Sequence, residues 1–259
     1  MARFNISFIG AGRVAGALSR AMFNAGCKVE LIVSHDENNG RSLADSCKAS
    51  WSFKPEIPSS TDIIIVAVPD HRLQEVLGTI KCRQGTLIAH TAGSMGLDVF
   101  PEEITRKGIF YPLQTFSKGR TVSFKDLPFF IETSDKQSSE TLEELAKSLG
   151  AKVFFADTEH RMMLHLAAVF INNFTNHVIT EGKDIATKAG FPFEILIPLL
   201  NETVSKAFEI GPEKSQTGPA VRNDRNTIEK HLDLLSFSPD LQRLYNEMTI
   251  SIINYHNKL

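Results

Sequence analysis

The segment FIGAGRVAGALSRA sets Gly10, Gly12 and Ala15 in a G-x-G-x-x-A spacing between an apolar run and a helical one. Each position has a physical task. A glycine at 10 permits a tight turn, one at 12 lets the backbone approach a diphosphate, and a small residue at 15 allows a helix to pack closely on a strand. A diphosphate there would rest on the amides at the positive end of the helix, with Ala11, Arg13 and Val14 completing the loop. The chemistry implied is dinucleotide binding.

Which dinucleotide depends on the end of the second strand, about 20 residues on, where an NAD site usually carries an acid for the ribose hydroxyl. In VELIVSHDENNGR that slot holds Ser34, a hydrogen-bond donor that would not repel a 2′-phosphate. His35, Arg41 and Arg13 are near enough in sequence to add positive charge. A strand end shifted by two residues would instead make Asp36 the ribose ligand. The pattern favours NADP over NAD.

Two further strand ends bear on the same site, because ligands of open α/β sheets lie beyond the carboxyl ends of the strands. IIIVAVPDHRL ends at Val68, Pro69 and Asp70, and IAHTAGSMG brings His90, Thr91, Ala92, Gly93 and Ser94 to a second tip. The backbone of 91–94 is expected to line the cofactor or substrate. His90 and Ser94 are candidates for the cleft, although a hydrogen-bonded core histidine would have the same sequence.

Downstream, HRMMLHLAAVFINNFTNHVITEG embeds polar residues in an apolar helix, where they are costly unless paired. At 100° per residue, Asn172 and Asn176 each fall within about 20° of His165, and Asn173 lies about 80° from it. His165 is the first candidate for a general acid or base, since imidazole titrates near neutral pH. Asn173 is the candidate for orienting substrate. Further on, SQTGPAVRNDR combines a Thr217-Gly218-Pro219 turn with Arg222 and Asp224. Asn223 or Asp224 suits a helix N-cap, and Arg222 suits a bidentate clamp for a substrate carboxylate.

The elements that would hold these residues change character along the chain. Up to residue 155, apolar strand-like runs (FNISFI, KVELIVS, TDIIIVAV, GTLIAHT, PFFIET, AKVFFA) alternate with helical ones. This predicts a Rossmann-type doubly wound, mostly parallel sheet with right-handed crossovers. Residues 156–259 read as all-α. A long helix over 157–189 stops at Gly190 and Pro192, and a second runs to Gly211-Pro212 with a kink at Pro198. A third starts near Asp224 and a fourth at Ser238-Pro239. The expected division is a dinucleotide domain, 1–155, and a helical substrate and dimerisation domain, 156–259.

Composition narrows the function classes. A net charge of −2 over 259 residues offers no electrostatic case for nucleic acid or an anionic membrane. No apolar run approaches the ~20 residues of a membrane span. Cys27, Cys47 and Cys82 are scattered, which argues against a disulfide framework and a zinc site, and for a reducing compartment. The N-terminus shows no signal-peptide pattern, so the expected address is the cytoplasm. A long apolar helix with little domain to cover it suggests a homodimer.

The glycine loop, VPD, HTAGS, the turn GIFYPLQTF, the HLAAVFINN helix and TGPAVRND followed by HLDLL occur together. In these the chain resembles, over nearly its whole length, a family of Rossmann-like NADP oxidoreductases whose C-terminal helical domain has no assigned function. It is more distantly similar to pyrroline-5-carboxylate reductase, ketopantoate reductase and deazaflavin-dependent NADP reductases. The resemblance implies a nicotinamide-dependent reductase or dehydrogenase with a helical dimerisation domain. It further implies that His165 and Asn173 face the cofactor, with Thr217, Arg222 and Asp224 near it. Two departures stand out. The family's His-Pro is Tyr111-Pro112 here, and the lysine that related hydroxyacid dehydrogenases carry before an Asn-Asn pair is Val169. Hydride transfer to a small carbonyl or imine is therefore the leading expectation, and a dinucleotide-responsive sensor without turnover is its rival. A flavin-linked enzyme is a weaker third.

Overall fold

The computed structural model describes residues 3–257. Eight strands form one sheet: β1 (Asn5–Ile9), β2 (Lys28–Val33), β3 (Ser50–Ser52), β4 (Ile63–Val66), β5 (Leu87–His90), β6 (Lys107–Pro112), β7 (Pro128–Thr133) and β8 (Lys152–Phe155). Their order is β3-β2-β1-β4-β5-β6-β7-β8, and only the β6–β7 pairing is antiparallel. The central strands explain themselves: IIIV and LIAH are buried at every position, as crossover helices on both faces require.

Helices α1 (Arg13–Asn24), α2 (Glu37–Ser46), α3 (Asp70–Leu77) and α4 (Lys136–Ser148) connect the strands. The core divides into two clusters. One gathers Phe8, Leu18, Met22, Phe110, Phe129 and Leu142, and the other Ile64, Val66, Leu73 and Phe100. Strand order reverses between β1 and β4, so the tips of those two strands open the crevice in which such sheets bind ligands.

GIFYPLQTF is not simply a turn. Its first half belongs to β6, whose residues from Gly108 to Pro112 pair with β7, and only Leu113 onward leaves the sheet. The interior Gly108 and terminal Pro112 hide the strand, but Pro112 sits where the ladder ends.

The sheet ends at Phe155, while the compact units divide later, into 1–173 and 174–259. The long helical pattern is three pieces: α5 (Thr158–Ala168), a π-helical segment (Val169–Phe174) and α6 (Thr175–Lys188). A wider π turn breaks the 100° step, so angles counted from His165 across it to Asn176 do not hold.

In the second unit, Gly190 at φ +83° ends α6 as a left-handed residue. A 3₁₀ turn (Phe193–Leu196) leads into α7 (Ile197–Ile210). Pro198 therefore lies in the first turn of α7, where its missing N–H costs nothing, and it produces no mid-helix kink. A short α8 (Pro212–Ser215) follows, then α9 (Arg225–Leu234) and α10 (Pro239–His256). Asp224 caps α9 and Ser238 caps α10. No helix among the described residues is long and apolar enough to cross a membrane.

Candidate functional site

The site starts at the β1 tip. Gly10 has φ +109°, and a Cβ there would lie 2.2 Å from the Ala67 carbonyl oxygen. Glycine is thus required for the β1 turn to pass beneath the β4 tip. Gly12 differs. It is the N-cap of α1 at φ −76°, and a Cβ there would meet nothing within 4 Å.

No side chain caps α1, whereas Asp36, Asp135 and Asp157 cap α2, α4 and α5. The first-turn amides of α1 therefore face open space at the positive helix end, the environment a diphosphate needs. The chain fits the group it would hold. Ala15, fully buried, gives the close helix–strand contact.

A cleft of about 510 Å³ runs from this loop to the β2 tip, lined by Gly10, Ala11, Ser34, His35, Val68 and Val76, among others. Ser34 is buried and donates its hydroxyl to the Asp36 carbonyl at 2.5 Å. Asp36 turns its carboxylate to α2, where it accepts from the Asn39 backbone N–H at 3.0 Å and from the Asn39 amide at 2.5 Å. Its carboxyl is held below the usual range, chiefly by that backbone N–H. Arg41 is engaged elsewhere: it pairs with Glu37 at 2.8 Å and stacks 4.4 Å over the Trp51 ring.

A second cleft, about 830 Å³, lies beyond the β4, β5 and β6 tips and against α5 and the π segment. Arg13, Val14, Val68, Pro69 and Asp70 line one part. Thr91, Ala92 and Tyr111 line another, and His165, Asn172 and Asn173 a third. The Asn172 side-chain amide donates to the side-chain oxygen Oδ1 of Asn173 at 3.4 Å. Ser94 donates its hydroxyl to Asp70.

His165 and Tyr111 form the polar centre, with the phenolic oxygen 3.1 Å from Nδ1. Gly93 makes this possible, since a Cβ there would come 2.7 Å from the Tyr111 ring and 3.0 Å from Nδ1. Burial raises the Tyr111 pKa, and the Asp70 charge raises it further, so the phenol stays protonated at neutral pH.

One turn before His165, Arg161 is fully buried, ion-paired with Glu132 of β7 and donating at 2.6 Å to the Met95 carbonyl. These bonds fix the first turn of α5 on the sheet and thereby aim His165, which shares the Arg161 face. Sequence reading missed both Tyr111 and Arg161. The departure from His-Pro at Tyr111-Pro112 was the available signal for the first, and no local pattern marks the second.

His90 is a correction. Expected in the cleft, it is fully buried and stacked on Phe100 at 5.3 Å. Its Nδ1 accepts from the Ala92 N–H at 3.2 Å, and its Nε2 lies 3.4 Å from the Gly96 carbonyl. Burial lowers its pKa to about 4. It shapes the β5 turn as a neutral core residue.

In the second unit, Gly218 takes φ +109° and Asn223 φ +51°, bending TGPAVRND into a compact turn closed by Asp224 N–H to the Pro219 carbonyl at 2.9 Å. Asp224 accepts from the Thr227 backbone at 3.1 Å and hydroxyl at 2.8 Å. Thr217 precedes the turn, and Arg222 stands exposed on it.

Comparison with known proteins agrees with the fold. Residues 1–115 match a family described as a Rossmann-like domain, and residues 127–252 match a domain of unknown function, DUF2520. A crystal structure of a putative NADP oxidoreductase from Bacteroides fragilis is 38% identical, with a TM-score of 0.91 over 97% of this chain and 98% of its own. A Thermotoga maritima protein is 20% identical, with a TM-score of 0.71 over 98% of both chains. An imine reductase from Myxococcus stipitatus, solved with NADP+, is 14% identical, with a TM-score of 0.67 over 98% of this chain and 93% of its own. The last two share the fold. No curated protein matches the chain in sequence.

Proposed function

Because the chain belongs to the family of Rossmann-like proteins with a DUF2520 domain that includes the Bacteroides fragilis protein, we propose that it is an NADP-dependent oxidoreductase acting on a small carbonyl or imine. The observation that carries the reading is the uncapped α1 N-terminus opening toward a cleft whose polar centre is the Tyr111–His165 pair. NADP is favoured because the β2 tip presents Ser34, and Asp36 is committed to capping α2.

A bound nicotinamide would supply or take the hydride. The chain's own task is the proton. The protonated Tyr111 phenol can donate to Nδ1 of His165, in the tautomer that carries the ring's proton on Nε2. As Nε2 gives that proton to the oxygen or nitrogen of a substrate in the cleft, Nδ1 takes the phenolic proton, so the charge left behind rests on the Tyr111 oxygen and not on an imidazolate. Asn172 and Asn173 offer amides to orient that substrate.

The second unit supports a homodimer. Among its described residues only Ala186, Ala220 and Leu235 are buried hydrophobics, while Phe208, Leu199 and Leu234 stand in solvent. A second copy, joined by a two-fold axis, is the occupant proposed for that surface.

The test is NADPH oxidation against a panel of small carbonyls and imines, with His165→Gln beside the wild type. Turnover that falls about 100-fold or more in the variant, at unchanged NADPH affinity, is expected. Tight NADPH binding with no oxidation across the panel would overturn the enzyme in favour of a sensor.

A further inference from the structure

Ala11, Gly12 and Asn39 border not only the cleft at the β2 tip but also a cavity of about 740 Å³ on the far side of α1. That cavity is lined by four cations: Arg13 and Arg20 from α1, and Lys118 and Arg120 from the segment after β6. None of the described residues lining it is acidic, and none of the four makes an ion pair within 4 Å among the described residues. Four unneutralised cations around one opening repel one another and create a field suited to a polyanion.

The segment carrying two of them is positioned rather than adrift. Phe116 and Phe124, both buried, bracket it and stack at 6.2 Å. Between them Arg120 N–H bonds the Ser117 carbonyl at 3.3 Å, with Gly119 at φ +80° in the left-handed corner of the turn. Lys118 and Arg120 thus flank a tight turn on a fixed base. The turn opens toward the start of α2, since Lys118 and Arg120 line the same cavity as Asn39, the residue that binds the Asp36 carboxylate. Of the cations expected near the β2 tip from sequence, Arg41 is held by Glu37 and Trp51, which leaves a vacancy that this turn can fill.

We propose that the Lys118–Arg120 turn supplies the cationic contacts for the 2′-phosphate of NADP, from a position about 80 residues downstream of the strand tip that usually decides the choice. This rests on the NADP reading given above. Lys118 and Arg120 both line the cavity that Ala11, Gly12 and Asn39 share with the cleft at the β2 tip. The geometry also explains how a strand tip with Ser34 and a committed Asp36 could discriminate at all: discrimination is added by a separate, exposed segment.

The experiment is calorimetric titration of the full-length protein with NADPH and NADH, for the wild type and for Lys118→Ala/Arg120→Ala. Both side chains are exposed, so the melting temperature should not change. The proposal predicts an NADPH Kd raised about tenfold or more in the double variant, the loss expected of charge-assisted bonds, with NADH unaffected. Adenosine 2′,5′-bisphosphate should weaken in parallel, and adenosine 5′-monophosphate should not. A wild type that prefers NADPH, with the preference surviving both substitutions, overturns this inference alone. Equal weakening of NADPH and NADH would assign the cations to the diphosphate and also overturn it. A wild type that binds NADH as tightly as NADPH would overturn the NADP reading, and this inference with it.

Discussion

Phe110, in β6 of the first unit, is 0% exposed, whereas Phe208, in α7 of the second, is 85% exposed. Both lie within regular elements of apolar sequence, so the difference is one of architecture. A strand in a mostly parallel sheet is covered on two faces by its own crossovers, and the central strands β1, β4 and β5 are buried at almost every position, whereas exposed apolar side chains begin at Phe154 and Phe155 of β8 and continue through Met163 and Ile171. The second unit has helices alone, each needing its stripe covered by another element, and leaves Leu199, Phe208 and Leu234 in solvent. The central sheet is thus a core complete in itself, and a second copy on the exposed helices remains the proposal to be tested.

Truncation at the two phenylalanines breaks the comparison most sharply. Phe110→Ala should cost about 3–5 kcal/mol of stability, measured as a shift in the urea midpoint at constant slope. A loss under about 1 kcal/mol would mean the sheet core is less tightly packed than its burial indicates.

Next in size is the pH response of the first unit. Folded His90 stays neutral down to about pH 4, whereas unfolded His90 binds a proton below its ordinary value of 6.5. The unfolded state thus holds more protons between these values. Stability is complete above pH 6.5, falls through the window by about 3 kcal/mol, and loses no more below it. Urea midpoints taken from pH 7.5 to 4 should converge for wild type and His90→Asn as pH falls. Parallel curves would show that His90 is not held neutral.

The smallest stability effect belongs to the second unit. Phe208→Ser in a lone chain should change stability by less than about 0.5 kcal/mol. If a second copy covers it, the dimer should weaken, with the dissociation constant rising about tenfold or more in sedimentation. A wild type that is monomeric at micromolar concentration would remove the dimer and leave the exposed helices without a partner.

What could be read in the sequence follows the same division. Gly10 was legible because a backbone requirement, φ +109° beneath Ala67, admits almost nothing but glycine. The strand tips at Pro69 and Thr91 were legible because parallel strands announce themselves as continuous apolar runs. Tyr111 was not, since β6 is antiparallel to β7 and begins with Lys107-Gly108, a pattern that reads as a turn. His90 could not be assigned, because a buried and a cleft histidine have the same neighbours in sequence. The π segment could not be seen either, since the extra width at 169–174 leaves hydrophobic periodicity almost unchanged while shifting which face follows His165. Lys118 is the clearest case: the cavity it shares with Asn39 exists only through the tertiary fold.

The central claim is that the α1 N-terminus is left uncapped for a dinucleotide diphosphate, and Gly12→Asp tests it most directly. Position 12 has ordinary φ and empty space around it, so the new carboxylate can cap α1 without strain. It would also place a negative charge where the diphosphate must lie. The account predicts an unchanged or slightly higher melting temperature together with an NADPH Kd raised about 100-fold in calorimetric titration. Unchanged NADPH affinity in a folded variant would contradict it.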